Sequence, residues 1–513
     1  MASGKWQGPR AQARPLVFLA TCHLPLATAL MQLTVIQRIL GLLIMLFSVT
    51  MLPPAAVGFY YGEQSMWPFL EAFGILLLTG LIIWAPVYRV RRELRLRDGF
   101  VVVLMFWLVL GVFGALPLYL DKALHISVTD AVFESMSGLT TTGATVITAL
   151  DDLPRAILIY RQQLQWMGGM GIIVLAVAIL PMLGVGGMQL YRAEMPGPVK
   201  DTKLTPRITE TAKALWYLYL GFTVACALAY WAVGMEPFDA IAHSFSTVSL
   251  GGFSTHDASI GYYDSAAVEA VAITFILLGG VNFALHFLTW RGLSVRHYWQ
   301  DAEFRTYVLI ISTVAAVSVG YLYYTATTEG WSDTLRQGIF QAVSIGTTTG
   351  FTTTDFYNWP GFLPVLLIFT SFIGACAAST GGGIKVIRFL LLFKQGQREV
   401  VRLVHPNAEI AVKVGRSALS DRVVEAVWGF FSAYVAVFAV MMLLLMASGL
   451  DQVTAFSAVA ASLNNLGPGL GDVGPHYADI NDFAKWILCI AMLMGRLEIF
   501  TVLVLLTPAF WRK

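Results

Sequence analysis

Charge and cysteine are both scarce in this 513-residue sequence, and each scarcity excludes a class of protein. Only 12% of the residues are Asp, Glu, Lys or Arg, about half the share of a typical soluble chain. The four cysteines follow no CxxC spacing, so neither a disulfide framework nor a cysteine metal site is indicated, and we expect buried free thiols. The sequence also lacks HExxH, GxSxG and nucleotide-binding fingerprints, which argues against an enzyme.

Long apolar runs take the place of the missing charge. Hydrophobic residues make up 57% of the chain, more than a soluble core could bury, so we predict an all-α membrane protein. About 20 residues suffice to cross the hydrocarbon layer as a helix. The runs do not alternate apolar and polar residues, as the strands of a membrane barrel do. We predict ten transmembrane helices, at 36–58, 67–88, 99–120, 157–182, 208–234, 265–290, 304–326, 360–394, 422–448 and 483–510.

Basic residues are unevenly distributed among the segments that connect these runs. Four alternate segments, 89–98, 183–207, 291–305 and 394–422, hold 18 Lys and Arg residues. The intervening segments hold 18 acids but only Lys122, Arg155 and Arg336 as basic residues. Because cytoplasmic loops carry the excess of Lys and Arg, we predict that both termini are cytoplasmic. The net charge of +2 gives no reason to expect a nucleic-acid partner.

Residues 1–30 imitate a signal peptide, because three basic residues precede a short apolar run that ends in Ala27-Thr28-Ala29. Cleavage there would place the mature N-terminus outside, against the charge distribution. We therefore interpret residues 1–30 as an N-terminal extension or a mis-called start, with Met31 as the alternative first residue.

A pattern repeats four times in the predicted outer segments. Each copy is a short semi-apolar stretch followed by Gly and hydroxyl residues, and alignment places Gly143, Gly252, Gly350 and Gly467 in register. Repeats at this period, each flanked by two spans, indicate span–re-entrant loop–span units. We predict a leading helix pair (31–98) and four pore repeats with pseudo-fourfold symmetry, at 99–200, 201–300, 301–415 and 416–513.

Each repeat is predicted to contain a half-helix that stops at mid-membrane depth. Asp130, Asp239, Asp333 and Asp451 suit a helix N-terminus, and a stretch of about 12–16 residues spans about 18–24 Å. The four C-terminal ends would then point their partial negative charge at a cation in the membrane. Beyond them, backbone carbonyls can replace the cation's water, and Gly permits the positive φ that turns a carbonyl.

The candidate ion ligands are therefore the backbones of four segments. One TTTG string alone could be an ordinary turn, whereas four copies in register favour a selectivity filter. Two departures from the pattern are Leu250, where Thr is expected, and the asparagines of the fourth copy. The candidate residues are Thr140, Thr141, Thr142 and Gly143; Ser249, Leu250, Gly251 and Gly252; Thr347, Thr348, Thr349 and Gly350; and Asn464, Asn465, Leu466 and Gly467.

Four strings, FESMSGLTTTGAT, STVSLGGFSTHD, GTTTGFTTTDF and SLNNLGPGLGD, resemble the filter loops of the Trk/Ktr/HKT superfamily of potassium transporters. The similarity covers roughly residues 31–513. The resemblance implies one pore in which carbonyls near the four glycines coordinate K⁺, and Gly143 supports potassium because plant relatives that favour Na⁺ tend to have Ser there. It also implies a dimer regulated by a TrkA-like cytosolic ring, with an ATP- or NAD-type nucleotide on that partner and no organic cofactor on this chain.

The eighth run is too long for one crossing and is interrupted by GACAASTGGGIKVIRF (374–389). Each Gly in a helix costs about 1 kcal/mol relative to Ala, so Gly381-Gly382-Gly383 predict a break at membrane depth. The resemblance implies an intramembrane loop that lies under the filter and obstructs the pore. The alternative is a lipid-remote kink.

Arg496 lies within the last apolar run, where a charge is costly and is a functional-site hypothesis by default. In the resembled family the matching Arg projects into the pore. We predict a gate formed by Ser379, Thr380, Gly381, Gly382, Gly383, Lys385 and Arg496. The alternative for Arg496 is an Arg that bonds loop carbonyls and has no part in permeation.

The expected function is potassium uptake across the membrane through a gated pore. The alternative is a Na⁺-permeable transporter or one coupled to H⁺ or Na⁺, as in symport.

Overall fold

The computed structural model describes residues 32–90, 96–171, 208–415 and 417–511, and these residues are almost entirely helical. The predicted N-terminal extension and the inner segment 183–207 lie outside the described residues, as does Cys22. The described strands are β1 (Lys413–Val414) and β2 (Ser417–Ala418), which pair antiparallel. The three described cysteines are free and buried, as predicted: Cys226, Cys376 and Cys489.

The helices are numbered in chain order over the described residues. Their bounds are α1 Leu33–Val49, α2 Leu52–Tyr61, α3 Met66–Trp84, α4 Leu96–Gly114, α5 Leu116–Leu120, α6 Val128–Leu139, α7 Arg155–Gly169, α8 Ile208–Ala232, α9 Pro237–Ser249, α10 Ala266–Gly279, α11 Phe283–Gly292, α12 Arg296–Gln300, α13 Ala302–Tyr324, α14 Trp331–Gly346, α15 Leu363–Ile373, α16 Val386–Val404, α17 Asp421–Ala447, α18 Gln452–Leu463, α19 Asp482–Arg496, α20 Ile499–Leu506 and α21 Pro508–Trp511.

Six stretches of the described chain are helical, long and apolar enough to cross a membrane: Leu33–Tyr61, Met66–Val87, Arg97–Leu120, Lys213–Ala232, Ala302–Tyr324 and Asp421–Ala447. Two further pairs, α10 with α11 and α19 with α20, meet this criterion only as bent pairs, with bends of 95° and 112°. Large apolar side chains such as Leu78 and Ile82 are exposed on these helices, as lipid-facing residues are. The prediction of a helical membrane protein is confirmed, whereas the described helices do not establish the count of ten.

Two of the predicted spans each consist of two helices joined at a sharp bend, which was not predicted from the sequence. The run 265–290 breaks at 280–282, where the Asn282 side chain accepts a hydrogen bond from the Ala284 amide at 2.8 Å and starts α11. The run 483–510 breaks at Leu497–Glu498, where Glu498 has a φ of 55°. Apolar residues continue through both breaks, so hydropathy alone did not reveal them. The predicted interruption of the eighth run is present, between α15 and α16.

Four buried short helices, α6, α9, α14 and α18, begin where the sequence predicts half-helices. They contain 12, 13, 16 and 12 residues, respectively. Asp130, Asp239 and Asp333 lie in the first turns of the first three helices. Asp451 caps the fourth by accepting hydrogen bonds from the amides of Val453 and Thr454. A carboxylate near each start is favoured by the positive end of the helix dipole, and that of Asp451 also satisfies two amides that lack a partner within the helix.

Candidate functional site

Each half-helix runs directly into one of the four candidate filter segments, which are residues 140–143, 249–252, 347–350 and 464–467. All four segments share one backbone pattern, in which the glycine and the residue two positions before it have positive φ. A positive φ is rare for residues other than Gly, and rarest for β-branched ones such as Thr, so the surrounding contacts must hold it. The φ values are 57° and 81° for Thr141 and Gly143, 56° and 80° for Leu250 and Gly252, 64° and 87° for Thr348 and Gly350, and 54° and 97° for Asn465 and Gly467.

The four glycines also close a ring, because each approaches a backbone carbonyl of the next segment. A Cβ atom at any of them would collide with that carbonyl oxygen. The distances from such a Cβ to the oxygen are 2.2 Å for Gly143 and Gly251, 2.1 Å for Gly252 and Thr349, 2.2 Å for Gly350 and Leu466, and 2.7 Å for Gly467 and Thr142. The order runs from the first segment to the fourth and back to the first. Close approach and positive φ therefore both require Gly at these positions.

A buried ion pair supports the chain just after the first two glycines. Arg161 Nε lies 2.7 Å from Glu134 Oε1, and both side chains are 1% exposed. The guanidinium also donates to the carbonyl of Ser254 and to Thr145 Oγ1, each at 3.1 Å. Glu134 accepts the amide of Val146 at 2.9 Å. The pair thus joins half-helix α6 and helix α7 to the extended chain beyond two candidate filter segments.

The other half-helices provide comparable polar contacts. In α9, His243 Nε2 lies 2.9 Å from Ser254 Oγ. In α18, the Ser457 hydroxyl donates to the carbonyl of Leu470 at 3.0 Å and accepts its amide at 2.8 Å. Each contact fixes the chain that follows a candidate filter segment to the half-helix that precedes that segment.

Gln165 of α7 fixes the second candidate filter segment from behind. Its side-chain Nε2 donates a hydrogen bond to the carbonyl of Gly251 at 2.5 Å. Its side-chain Oε1 accepts a hydrogen bond from the backbone amide of Phe253 at 3.0 Å. Neither Gln165 nor Arg161 was predicted as a site residue from the sequence. A signal was present, because the fourth apolar run contains Arg161, Gln162, Gln163 and Gln165 within a few residues, and polar side chains inside a span face protein or water.

Residues 374–385, here called the glycine loop, lie against two candidate filter segments and the end of α9. The Gly382 amide donates to Thr348 Oγ1 at 2.7 Å, and the Gly383 amide donates to the carbonyl of Asn464 at 3.1 Å. Thr380 Oγ1 donates to the carbonyl of Val248 at 3.0 Å, at the end of α9. The remaining predicted gate residues bond within the loop. The Ser379 hydroxyl donates to the backbone carbonyl of Cys376, and Lys385 Nζ donates to the carbonyl of Gly381.

Arg496, at the end of α19, joins the glycine loop to the first candidate filter segment. Its Nη1 donates to Thr141 Oγ1 and to the carbonyl of Thr380, each at 3.0 Å. Its Nη2 donates to the carbonyl of Gly168 at 2.6 Å, in the last turn of α7, where a cation also meets the negative end of a helix dipole. The Arg496 guanidinium therefore bonds loop and helix carbonyls beside the candidate filter. Glu498 instead pairs with Arg388 at 2.5 Å.

An imidazole connects residues of the first and second predicted repeats, on the side of the ring where the half-helices begin. His256 Nδ1 contacts an Asp151 carboxylate oxygen, and Nε2 lies 3.3 Å from Asp239 Oδ2. A neutral imidazole has only one N–H, so it can donate to only one of the two carboxylates, whereas an imidazolium donates to both. Burial opposes the charged form of His256, but the hydrogen bonds with Asp239 and Asp151 raise its pKa above the ordinary value. The other titratable groups facing it are Tyr262, stacked at 3.5 Å, with Tyr263 and His243.

For Asp239, burial acts to raise the pKa. The hydrogen bonds from His256 and Thr255 outweigh burial and lower the pKa of Asp239 to about 2. This carboxylate is therefore charged at neutral pH, which favours the imidazolium form of His256.

The described fold defines an all-helical, multi-pass membrane protein. The TrkH family, described as a cation transport protein, matches residues 68–513. The Trk system potassium uptake protein TrkH of Vibrio parahaemolyticus is 60% identical over 485 residues, which cover 94% of this chain and all of that protein. TrkH of Escherichia coli K12 is 55% identical over 483 residues, with the same coverage. The crystal structure of the potassium transporter TrkH from V. parahaemolyticus matches with a TM-score of 0.86 at 57% identity, covering 94% of this chain and 100% of that one. The chain belongs to the TrkH family of cation transport proteins.

Proposed function

We propose that this chain takes up potassium across the bacterial inner membrane, through a pore lined by the four candidate filter segments. The observation that carries the proposal is the closed ring of glycine-to-carbonyl approaches among the four segments. Relatives of similar length are named as potassium uptake proteins. In this proposal K⁺ is the transported ion, and backbone carbonyls of the segments replace part of its hydration shell.

The ring is suited to ion selection because its geometry is held from behind. Arg161, Glu134 and Gln165 bond the segments or their continuations, so the carbonyl positions would not adjust freely to a smaller ion. The half-helices add the partial negative charge of their C-terminal ends. One observation favours the alternative of weaker selection or Na⁺ permeation: Leu250 is apolar, whereas the matching residues of the other segments are Thr141, Thr348 and Asn465.

We further propose that the glycine loop and Arg496 form the gate, with Ser379 to Gly383 and Lys385 in the obstructing loop. The loop bonds the third and fourth segments and the end of α9 directly, and Arg496 connects it to the first segment. Cation passage would require this loop to move away from the ring. The fixed charge of Arg496 would raise the barrier for cations in the closed state.

The proposed organisation is a leading helix pair, 31–98, followed by four repeats at 99–200, 201–300, 301–415 and 416–513, with ten spans in all and both termini cytoplasmic. The basic connecting segments support this orientation. The same basic surface would accept the acidic groups of a TrkA-like nucleotide-binding ring, and we propose a homodimeric membrane subunit. Transport coupled to H⁺ or Na⁺ remains the alternative to a passive pore.

The proposal is tested by uptake of Rb⁺, as a potassium substitute, against Na⁺ in cells that lack other potassium uptake systems. The informative variant is Gly252→Ser, because a Cβ there would lie 2.1 Å from the Thr349 carbonyl oxygen. The control is Gly320→Ser in α13, where a Cβ meets nothing within 4 Å.

We expect the unaltered chain and the control to restore growth at low potassium. The Gly252→Ser variant should lose uptake or discriminate less between Rb⁺ and Na⁺. Failure of the unaltered chain, with and without its regulatory partner, would contradict potassium uptake. An unchanged Gly252→Ser variant would contradict the filter assignment.

A further inference from the structure

The carboxylate of Glu303 holds both ends of the glycine loop from a different helix. Glu303 lies in the first turn of α13 and is 7% exposed. Its Oε1 accepts the amide of Ala377 at 2.7 Å and the amide of Ile387 at 3.2 Å. Ala377 lies in the loop before its tip, residues 379–383, and Ile387 lies just after the loop, in α16. A single oxygen therefore bridges two points that are separated by the loop tip.

The contact with Ile387 has a clear physical reason. Ile387 lies in the first turn of α16, where the amides have no partner within the helix. The residue that precedes α16, Lys385, provides no side-chain cap. Glu303 supplies from α13 the carboxylate that an N-terminal cap would normally provide, at the positive end of the α16 dipole.

The two arms are also bonded to each other and to the bend between α10 and α11. The Val386 amide donates to the carbonyl of Ala375 at 3.1 Å, and the Lys385 amide donates to that of Ile373 at 3.1 Å. The Cys376 amide donates to the carbonyl of Gly280 at 2.9 Å. The base of the loop is thus a paired structure on which Glu303 acts directly, while the tip, residues 379–383, contacts the candidate filter segments.

We propose that Glu303 is a positioning residue for the glycine loop. By accepting both amides, it keeps the base of the loop against α13 and so keeps the tip under the ring. This inference rests on the proposed gating role of the loop. Loss of the acceptor, rather than loss of the negative charge, should release the loop.

Cys376 provides a probe of loop position that does not depend on ion flux. It precedes Ala377 in the loop and is 1% exposed. The experiment uses the full-length chain with Cys22, Cys226 and Cys489 replaced by Ala, and measures the rate at which N-ethylmaleimide modifies Cys376. The variants are Glu303→Ala, Glu303→Asp and Glu303→Gln. The control is Asp301→Ala, which removes the carboxylate that caps α13 through the Phe304 amide at 2.7 Å.

We expect Glu303→Ala to increase the modification rate about tenfold or more, because the two hydrogen bonds accepted by the Glu303 side chain are lost. Glu303→Gln keeps an acceptor oxygen at the same reach and should stay within about threefold of the unaltered chain, since the neutral amide oxygen still accepts hydrogen bonds of about half the strength. Glu303→Asp keeps the charge but is one methylene shorter, so it should increase the rate more than Gln does. Asp301→Ala should leave the rate unchanged.

Two results would overturn the proposal. The first is a protected Cys376 in a Glu303→Ala protein that elutes and melts like the unaltered chain. The second is faster modification of Cys376 in Glu303→Gln than in Glu303→Asp, which would mean that the negative charge holds the loop. If Glu303→Ala does not fold, this comparison of the two folded variants tests the proposal. Rb⁺ uptake measured in parallel should rise in Glu303→Ala at unchanged Rb⁺/Na⁺ ratio. The unaltered chain could show no Rb⁺ uptake while Cys376 is still modified faster in Glu303→Ala than in the unaltered chain. That result would refute the proposed function and support the positioning role of Glu303.

Discussion

The buried pair of Arg161 and Glu134 allows the most quantitative prediction. Replacing Arg161 by Met removes a guanidinium that contacts Glu134 at 2.7 Å, the Ser254 carbonyl at 3.1 Å and Thr145 Oγ1 at 3.1 Å. The change leaves the Glu134 carboxylate buried without this cation. Removing one partner of a buried ion pair typically destabilises a protein by about 3–5 kcal/mol.

We therefore expect Arg161→Met to lower the free energy of unfolding by about 3–5 kcal/mol. The matched control is Arg155→Met on the same helix, because Arg155 is 39% exposed and lies 3.6 Å from Glu236, which is 70% exposed. An exposed pair contributes only about 0–1 kcal/mol. The double variant Arg161→Met with Glu134→Gln should recover part of the loss, because it no longer buries an isolated charge.

The assay is unfolding of the purified chain in mixed micelles, followed by Rb⁺ and Na⁺ uptake of each variant in vesicles. The Rb⁺/Na⁺ ratio should fall in Arg161→Met, since the chain after Gly143 and Gly252 loses its fixation, and should not change in Arg155→Met. Equal destabilisation by the two Arg variants, or full additivity in the double variant, would refute the reasoning.

Two further predictions concern the inner and outer sides of the ring. Arg496→Ala should increase Rb⁺ uptake in the absence of a regulatory partner, because it removes the bonds to Thr141 and Thr380 and the fixed charge; unchanged uptake would mean that Arg496 only bonds carbonyls. The His256 pKa is raised in the folded chain, so the two carboxylate contacts are fully present below the ordinary value of 6.5 and weaken as the external pH rises through the raised pKa. Uptake should therefore decline as the external pH rises from 6.5 through the raised pKa of His256. His256→Phe, which keeps the stack on Tyr262, should remove that dependence. An identical pH profile in both proteins would contradict a role of the His256 contacts in uptake.

The local features of the fold could be predicted from the sequence because they depend on neighbouring residues. Each feature is visible as a short motif in the sequence. The motifs are an acid near the start of each half-helix, a glycine after its end, and the Gly381-Gly382-Gly383 interruption. The helices α6, α9, α14 and α18 begin within three residues of the predicted acids, and the four glycines share one φ sign.

The features that could not be predicted join residues far apart in the sequence. Arg496 and Thr141 are separated by 355 residues, and Glu303 reaches an amide 84 residues away. The bends at 280–282 and at Leu497–Glu498 lie within continuous apolar runs, where hydropathy does not distinguish a straight helix from two joined ones. These contacts follow from the packing of distant helices and loops around the ring, which no local pattern encodes.

We propose that the four candidate filter segments together bind a dehydrated cation. Crystals of the full chain grown in Rb⁺ would test it directly, through the anomalous signal of the ion. We predict Rb⁺ density enclosed by residues 140–143, 249–252, 347–350 and 464–467, and loss of that density in Gly252→Ser. Rb⁺ found only outside the ring, or undiminished in that variant, would contradict the account.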